Sequence, residues 1–549
     1  MSGIQIGGIA SGMDTAAMVE AMMAVQRVRV DRVFQQKVRV GWQQEALVGV
    51  SNTYANFVLN MRDTFGISNS VSTHGMTRPG AVSNLSWVNR AVSSNNSVVT
   101  ARASTNAARG RHQLEVHQVA DSFRVASQGN VTQAGGSRDN LASQLGIEKE
   151  LTFTLGNGTE TIEIKVTGDM TMDELVQQMN QIDGVTASYD ATLDRFFLQT
   201  TETGADQQVI IAGEGAEEIL QALNLNMGQP HETTGQFVGR GQNALIDFNG
   251  AKGIEFSSNQ FNIQGIDFSL HSASVGEIIT VTVETDVDSV FDKVMAFVNE
   301  YNAMILEINQ LLTAPVNRDF PPLTDDQRAA MTEREIEVWE EKAKSGILRN
   351  DSTVNSVQQQ LRSAMMQNVT LVDGTVLNLH SIGIQGVSLP TSQTSGTLQV
   401  NEEQLRAAIA ENPEGVLQLF FAVPNDPSLQ TSDRNLSASQ IQEKRAQSGI
   451  FNRLTDIVSN GISQIISRAG DGDNATAFRQ VNAFVMTDFV TRGSRSLLDD
   501  QIKEFNRQIT TLNNRLSQVE ARYWRQFTAM EAAIAGMNNQ QNALFNMWM

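Results

Sequence analysis

The groups with which this chain could do chemistry are six histidines and sixty acidic side chains; it has no cysteine. A zinc protease would show two histidines four apart on a helix, with a glutamate directly after the first. His231-Glu232 opens that way, but the next ligand position is Gly235, so the second histidine is missing. His112 and His117 stand five apart on a segment that reads as a strand, and period-two alternation sends them to opposite faces. Neither pair is expected to hold a metal. Asp471 and Asp473 begin like a calcium loop, yet Ala475 and Asn482 fall where a carboxylate, or at least an oxygen donor, is expected, alanine offering neither and asparagine no carboxylate, and a solvated turn is the better reading. No nucleophile elbow, phosphate loop or dinucleotide fingerprint occurs. Without cysteine there are no disulfides, thiol catalysis or thiolate-ligated metals. The residues make no positive case for an enzyme, and no cofactor is expected.

Composition narrows the remaining classes. A net charge of −20 disfavours non-specific binding to nucleic acid or to an anionic membrane. Arg27, Arg29, Arg32, Lys37 and Arg39, with Asp31 among them, form a local exception that reads as a solvated helix face rather than a phosphate track. The first residues lack a charged segment followed by an apolar one, so no cleaved secretory signal is expected. No run of eighteen apolar residues predicts a membrane span. At 549 residues the chain should hold several domains, since single cores stop growing beyond roughly 250–300 residues.

The elements around these groups are organised by the chain ends. Leu498, Ile502, Phe505, Ile509, Leu512, Leu516, Val519 and Tyr523 follow in steps of four and three, which keeps one apolar seam on one side of a helix. A second four leads to Phe527, a stutter that locally unwinds a supercoil. The seam resumes through Met530, Ile534, Met537, Gln541, Leu544 and Trp548. Such a helix needs a partner to cover its seam. The first seventy residues offer one: after a glycine-rich start, Gly3 to Gly12, Ser11 or Asp14 can cap a helix. Further along it Val40, Leu47, Val50, Tyr54, Phe57 and Met61 hold the 3-4 spacing, with Gln43 at one seam position. Both lengths exceed the ordinary three to four turns, so paired terminal helices are expected.

Between the ends the period changes from helical to two near Val71. Strands are predicted over Arg90–Ala101, Gln113–Val119, Ala244–Phe248, Phe261–Leu270 and Ile278–Val283. Leu151–Leu155 and Ile162–Val166 should form a hairpin around Gly156-Asn157-Gly158. Thr171 and Glu174 make a capping box for a short helix ending near Gly184, and Val185–Tyr189 should pair with Phe196 and Leu198. At Asp286 the helical period returns: Val290, Val294, Phe297, Tyr301, Met304, Ile308 and Leu311 form a predicted core stripe. A charged helix over about Thr324–Lys344, helices from Asp351 and Asn401, a mobile loop over Pro424–Ser439, a helix over Phe451–Ser467 and a break over Ala469–Ala477 follow. The fold class is thus α+β and multidomain: long terminal coiled-coil legs, a helical-bundle domain and one or two inserted β-rich domains. The expected boundaries are 1–70 for the N-terminal leg and the start of the helical domain, 71–127 with 241–285 for a β-rich domain, 128–240 for an inserted distal one, 286–468 for the helical domain and 469–549 for the C-terminal leg.

Several segments then resemble the flagellar filament-capping family, FliD or second hook-associated protein. They are Gly8-Ile9-Ala10-Ser11-Gly12-Met13-Asp14 followed by Val19-Glu20-Ala21-Met22-Met23, and Phe297-Val298-Asn299-Glu300-Tyr301-Asn302. Pro322-Leu323-Thr324-Asp325-Asp326-Gln327, Trp339 to Gly346 and Leu348 to Asp351 resemble a signature of part of the family. Ser381 to Ile384, Gly396 to Leu398 and Arg522 to Glu531 complete the set. The resemblance implies a non-enzymatic cap at the distal tip of the bacterial flagellum, promoting the folding and insertion of exported flagellin and preventing its loss. It implies a ring-shaped homo-oligomer, often of five copies, and partners in flagellin, hook–filament junction proteins and a cytoplasmic export chaperone. It also implies export through the flagellar type III apparatus, with no nucleic acid and no membrane insertion. The stretch Asp471–Arg495 is longer than the family's usual connection before the last helix, which bears on where the leg starts. Adhesion through the β-rich part, alone or alongside capping, and a hydrolase carried on the flagellum are the rival readings.

Overall fold

The computed structural model describes residues 14–67, 70–71, 77–78, 85–371, 373–482, 484–491 and 493–548. They belong to two compact units, residues 1–82 with 290–549, and residues 83–289.

The first unit is helical. Asp14 caps the N-terminal helix, Thr15–Phe65, its carboxylate accepting from the Ala17 amide at 2.9 Å. Ser11 and the glycine-rich start lie outside the described residues. The helix closes on Gly66 at φ 68°, the left-handed conformation that glycine adopts without a Cβ clash. The C-terminal helix spans Leu497–Trp548, so each is about 75 Å long at 1.5 Å per residue. They pack on each other. Gln44 Nε2 fixes the register, donating to Asp499 Oδ1 at 2.7 Å and to the Ala469 carbonyl at 2.8 Å. From that crossing the N-terminal helix is buried again near its start, at Val19 and Met23, so the pair runs antiparallel.

The other half of the N-terminal helix enters a body built from Val287–Thr313, Ser352–Met366, Pro413–Phe421 and Ile450–Ala469. Aromatic rings knot it together: Phe65 meets Phe421 edge-on at 4.8 Å and Phe451 at 5.6 Å, while Phe297 meets Phe420 at 5.2 Å. Gly461 lets Ile450–Ala469 approach Ser352–Met366 closely, since a Cβ there would stand 2.7 Å from Val357 Cγ2.

Several expectations need correction in this unit. The core stripe on Val287–Thr313 ends at Leu312, 5 % exposed, whereas Leu311 is 36 % exposed. A straight helix of 3.6 residues per turn drifts from a strict 3-4 repeat, so after three heptads the buried position moves one residue on. The charged run is two helices, Asp325–Ala329 and Glu333–Lys344, because Thr332 and Glu335 form a second capping box that starts the chain afresh. The segment 424–439 is pinned by packing: it holds two short 3-10 turns, Leu429 is buried, and the Thr431 carbonyl and Asp433 carboxylate both accept from Lys444 Nζ at 2.9 Å. Residues 471–495, expected to open with a break, carry two further short helices, Ala475–Val481 and Thr487–Thr491.

The second unit is antiparallel β structure around two cores. One lies with a five-stranded sheet in the order Ala251–Phe256, Ala244–Phe248, Gly110–Gln118, Ile279–Thr285, Asn89–Ser93 and a three-stranded sheet in the order Gln260–Ile263, Ile266–Leu270, Val99–Ala103. Phe248, Phe268, Val116 and Val281 are among its buried side chains. The predicted strands Arg90–Ala101 and Phe261–Leu270 each divide in two; the second turns at Gln264-Gly265, both at positive φ. The other core joins the sheets Phe237–Arg240, Gln208–Ala212, Leu151–Gly156, Thr161–Val166 and Arg124–Ala126, Arg195–Thr200, Val185–Asp190. The hairpin, the capping box of Thr171 with Glu174, and the pairing of Tyr189 with Phe196 and Ala187 with Leu198 are all present. The helix that the box starts ends at Met179 rather than near Gly184.

Candidate functional site

The surface that the sequence marks for assembly is the C-terminal seam, and its burial follows the spacing residue by residue. Leu498 is buried; Ile502, Phe505, Ile509, Leu512, Leu516, Val519, Tyr523, Phe527, Met530 and Ile534 are half-buried, while most residues between them are exposed. The N-terminal helix packs along the C-terminal one, which Ile450–Ala469 also touches, and the seam side chains beyond Leu498 stay partly open. Met537 is a correction: it is 61 % exposed. Antiparallel pairing from Gln44 and Asp499 puts Thr15 level with about residue 528, so Met537 lies more than about two turns past the described start of its partner, farther than half-buried Met530 and Ile534. Gln541 is exposed, and the side chains of Leu544 and Trp548 lie outside the described ones.

The N-terminal seam divides between two tasks. Val40 is half-buried, whereas Leu47, Val50, Tyr54, Phe57 and Met61 are buried in the helical body together with Val290, Val294, Phe297, Tyr301, Met304 and Ile308. Tyr54 and Tyr301 carry a polar end that apolar spacing cannot show. Their hydroxyls are buried without hydrogen-bond partners, and burial pushes both phenols up. Toward its start the same helix presents Met18, Met22, Val25 and Val28 to solvent, each at least 39 % exposed and spaced four, three and three. Arg27, Arg29, Arg32 and Arg39 are exposed and Lys37 half-buried.

A cavity of about 350 Å³ lies in the helical unit, lined among others by Arg62, Lys444, Phe451, Asp456, Val481 and Phe484. Arg62 is fixed by donating to the Gln480 and Val481 carbonyls at 2.7 and 2.9 Å. Lys444 Nζ sits between Asp433, at 2.9 Å, and Asp456, at 2.6 Å. Burial pushes the Asp456 carboxyl up, to about 6, although the Lys444 ammonium opposes the shift. Between the ordinary value of 3.8 and about 6 the folded chain holds a proton that the unfolded chain has lost, so this group's contribution to stability falls as pH rises. The stability difference between wild type and Asp456→Asn, followed by urea unfolding, should therefore decline by roughly 1–3 kcal/mol from pH 4 to 6.5; a flat difference would refute the assignment.

The histidines are mostly structural. His112 is buried, with Nε2 2.7 Å from the Ala108 carbonyl oxygen, Nδ1 3.0 Å from Asn249 Nδ2 and its ring stacked on Phe248. His271 bonds Thr100, and His231 sits in an exposed turn closed by Gly235. Asp471 and Asp473 also lie in a turn. His74 lies outside the described residues. His117 points away from His112, but beside Glu115 and Asp247. Spacing could not reveal that group, because Asp247 arrives from a strand more than a hundred residues later. Among the described residues no helix is long and apolar enough to cross a membrane.

Comparison with known proteins bears on the whole chain. Residues 241–539 match the family model described as flagellar hook-associated protein 2 C-terminus, residues 11–122 the corresponding N-terminus, and residues 150–202 the flagellin hook IN motif. A flagellar hook-associated protein 2 of Halalkalibacterium halodurans is 30% identical, with 99% of this chain and 98% of that one aligned. The B-type protein of Pseudomonas aeruginosa is 24% identical over 75% of this chain and 82% of its own. The crystal structure of the flagellar cap protein FliD D1-D2-D3 domains from Escherichia coli aligns with a TM-score of 0.47 at 18% identity, covering 77% of this chain and 95% of that one. With a family model spanning more than half its length and an end-to-end relative at 30% identity, the chain belongs to the flagellar hook-associated protein 2 family.

Proposed function

We propose that this chain is the structural cap at the distal tip of the bacterial flagellum, where it promotes the folding and insertion of exported flagellin and keeps subunits from escaping into the medium. Family membership along nearly the whole chain carries the reading, and the match at residues 150–202 to a flagellin hook motif supports flagellin as a partner. The cap is a ring of copies of this chain, most simply five, with junction proteins met at the hook and a chaperone holding the chain before type III export.

Its mechanism is mechanical. Fully burying a leucine or phenylalanine is worth about 1.5–3 kcal/mol, so each half-buried seam residue contributes about 1 kcal/mol. A leg held by many contacts of that size stays attached in sum while single contacts yield as a subunit enters. The exposed stripe of Met18, Met22, Val25 and Val28 gives the same leg an apolar face for neighbouring flagellar proteins.

The test is deletion of the gene in its native host, with flagellin assayed in the medium and on cells. Shed flagellin with short or absent filaments, reversed by restoring the chain, is the expected result. Normal filaments with flagellin retained would overturn the proposal.

A further inference from the structure

The group around His117 is the one place among the described residues where three potential metal-ligating side chains converge. It is built by the sheet. Glu115 and His117 lie two apart on the strand Gly110–Gln118, and Asp247, on the neighbouring strand, stands directly opposite Glu115. Between these strands Leu245 pairs with Gln118 and Ile246 with Val116, which leaves His117 as the extra residue of a β-bulge. A bulge bends its strand and re-aims a side chain. Here it sets the imidazole between the two carboxylates, with Nε2 3.2 Å from Asp247 Oδ1 and Nδ1 3.7 Å from Glu115 Oε1. Glu115, His117 and Asp247 are 24, 29 and 20 % exposed, half sheltered yet reachable from solvent.

In each carboxylate the oxygen that faces the imidazole also accepts from a backbone amide. Glu115 Oε1 accepts from the Gly276 amide and Asp247 Oδ1 from the Gly253 amide, each at 2.8 Å.

We propose that Glu115, His117 and Asp247 bind a divalent metal ion of the borderline class that accepts one imidazole nitrogen with carboxylate oxygens, such as Zn²⁺. Donor atoms held tetrahedrally at about 2.0–2.1 Å from zinc sit about 3.3 Å apart, close to the present separation of His117 Nε2 from Asp247 Oδ1. One oxygen, nitrogen and oxygen of the three residues lie within 4.8 Å of one another, and rotation of the Glu115 side chain, which exchanges its bond to the Gly276 amide for the ion, would close the remaining gap, with water in the open position. The ion would clamp the hairpin Ala244–Phe256 to the strand Gly110–Gln118. Exposed Lys252, a positive charge acting on Asp247, opposes it.

The experiment uses the untagged full chain, stripped with chelator and titrated with Zn²⁺ by calorimetry, with Co²⁺ as a visible-absorption probe. Saturable binding near one ion per chain, a raised unfolding temperature and a ligand-field spectrum are expected. His117→Ala and Asp247→Asn should each weaken binding at least about tenfold, and Lys252→Gln should strengthen it. Circular dichroism of each variant checks that the sheet is intact. No saturable binding would show His117 to be only an ion-pair bridge, and undiminished binding by His117→Ala would place the ion elsewhere; either result overturns the site.

Discussion

Replacing Arg453 by alanine is expected to cost the helical unit about 3–5 kcal/mol. Arg453 is fully buried at the start of the helix Ile450–Ala469. Its Nη1 donates to the Ala364 and Gln367 carbonyls at 3.3 and 3.0 Å, and its Nη2 to the Asn368 carbonyl at 2.5 Å. Ala364 lies in the last turn of the helix Ser352–Met366, where carbonyls lack intrahelical donors and the dipole is negative, Gln367 is its extended C-cap and Asn368 follows. Burial pushes the guanidinium down, to about 10, so it remains charged at neutral pH. Alanine would remove the donors, leave the buried Ala364 carbonyl without this partner at about 1–3 kcal/mol, hand the Gln367 and Asn368 carbonyls to water, and open a cavity. Arg453→Met separates the two effects, since it refills most of the volume but donates nothing. Urea unfolding followed by the helical signal should still show a loss of about 2–3 kcal/mol for methionine. Methionine as stable as arginine would mean that packing alone matters there.

How much of this was legible in the sequence depends on whether a property repeats along the chain. The seam from Ile502 to Ile534 and the stripe from Val290 to Ile308 were readable because an apolar side chain returns every three or four residues, and the buried face must then follow. The same spacing failed at Leu311 and Met537, where the outcome turns on helix drift and on distance from the partner's described start. Arg453 left only an indirect trace: a charged residue on the same face as Ile450, Leu454 and Ile457, a stripe that should be apolar. The splitting of 324–344 was written in Thr332 and Glu335, a capping box as plain as that of Thr171 and Glu174, but masked by good helix formers on both sides. Pro424–Ser439 was misread for a different reason. Polar, proline-bearing composition suggests mobility, whereas the loop is fixed by Lys444, which lies beyond it and gives no local sign. The grouping of Glu115 and His117 with Asp247 depends on strand pairing and a bulge, which no local pattern encodes.

Truncating the chain after Arg515 is expected to abolish capping while leaving the helical body folded. The cut removes Leu516, Val519, Tyr523, Phe527, Met530 and Ile534, half-buried seam residues of the helix that packs on the N-terminal one. It spares the crossing of Gln44 with Asp499 and the aromatic knot of Phe65, Phe297, Phe421 and Phe451. Unfolding of the body should therefore change little, while a strain carrying only the truncated chain should shed flagellin as freely as the deletion. Single substitutions are the wrong instrument, because each half-buried side chain contributes only about 1 kcal/mol and its neighbours compensate. A multiple variant, Leu512→Ser with Leu516→Ser, Val519→Ser and Phe527→Ser, should reproduce the truncation without shortening the helix. Secretion of each variant must be measured beside filament length, so that a chain that never leaves the cell is not mistaken for a leg that fails. Filaments of normal length on a strain secreting only the truncated chain would show that the seam beyond Arg515 does not hold the cap.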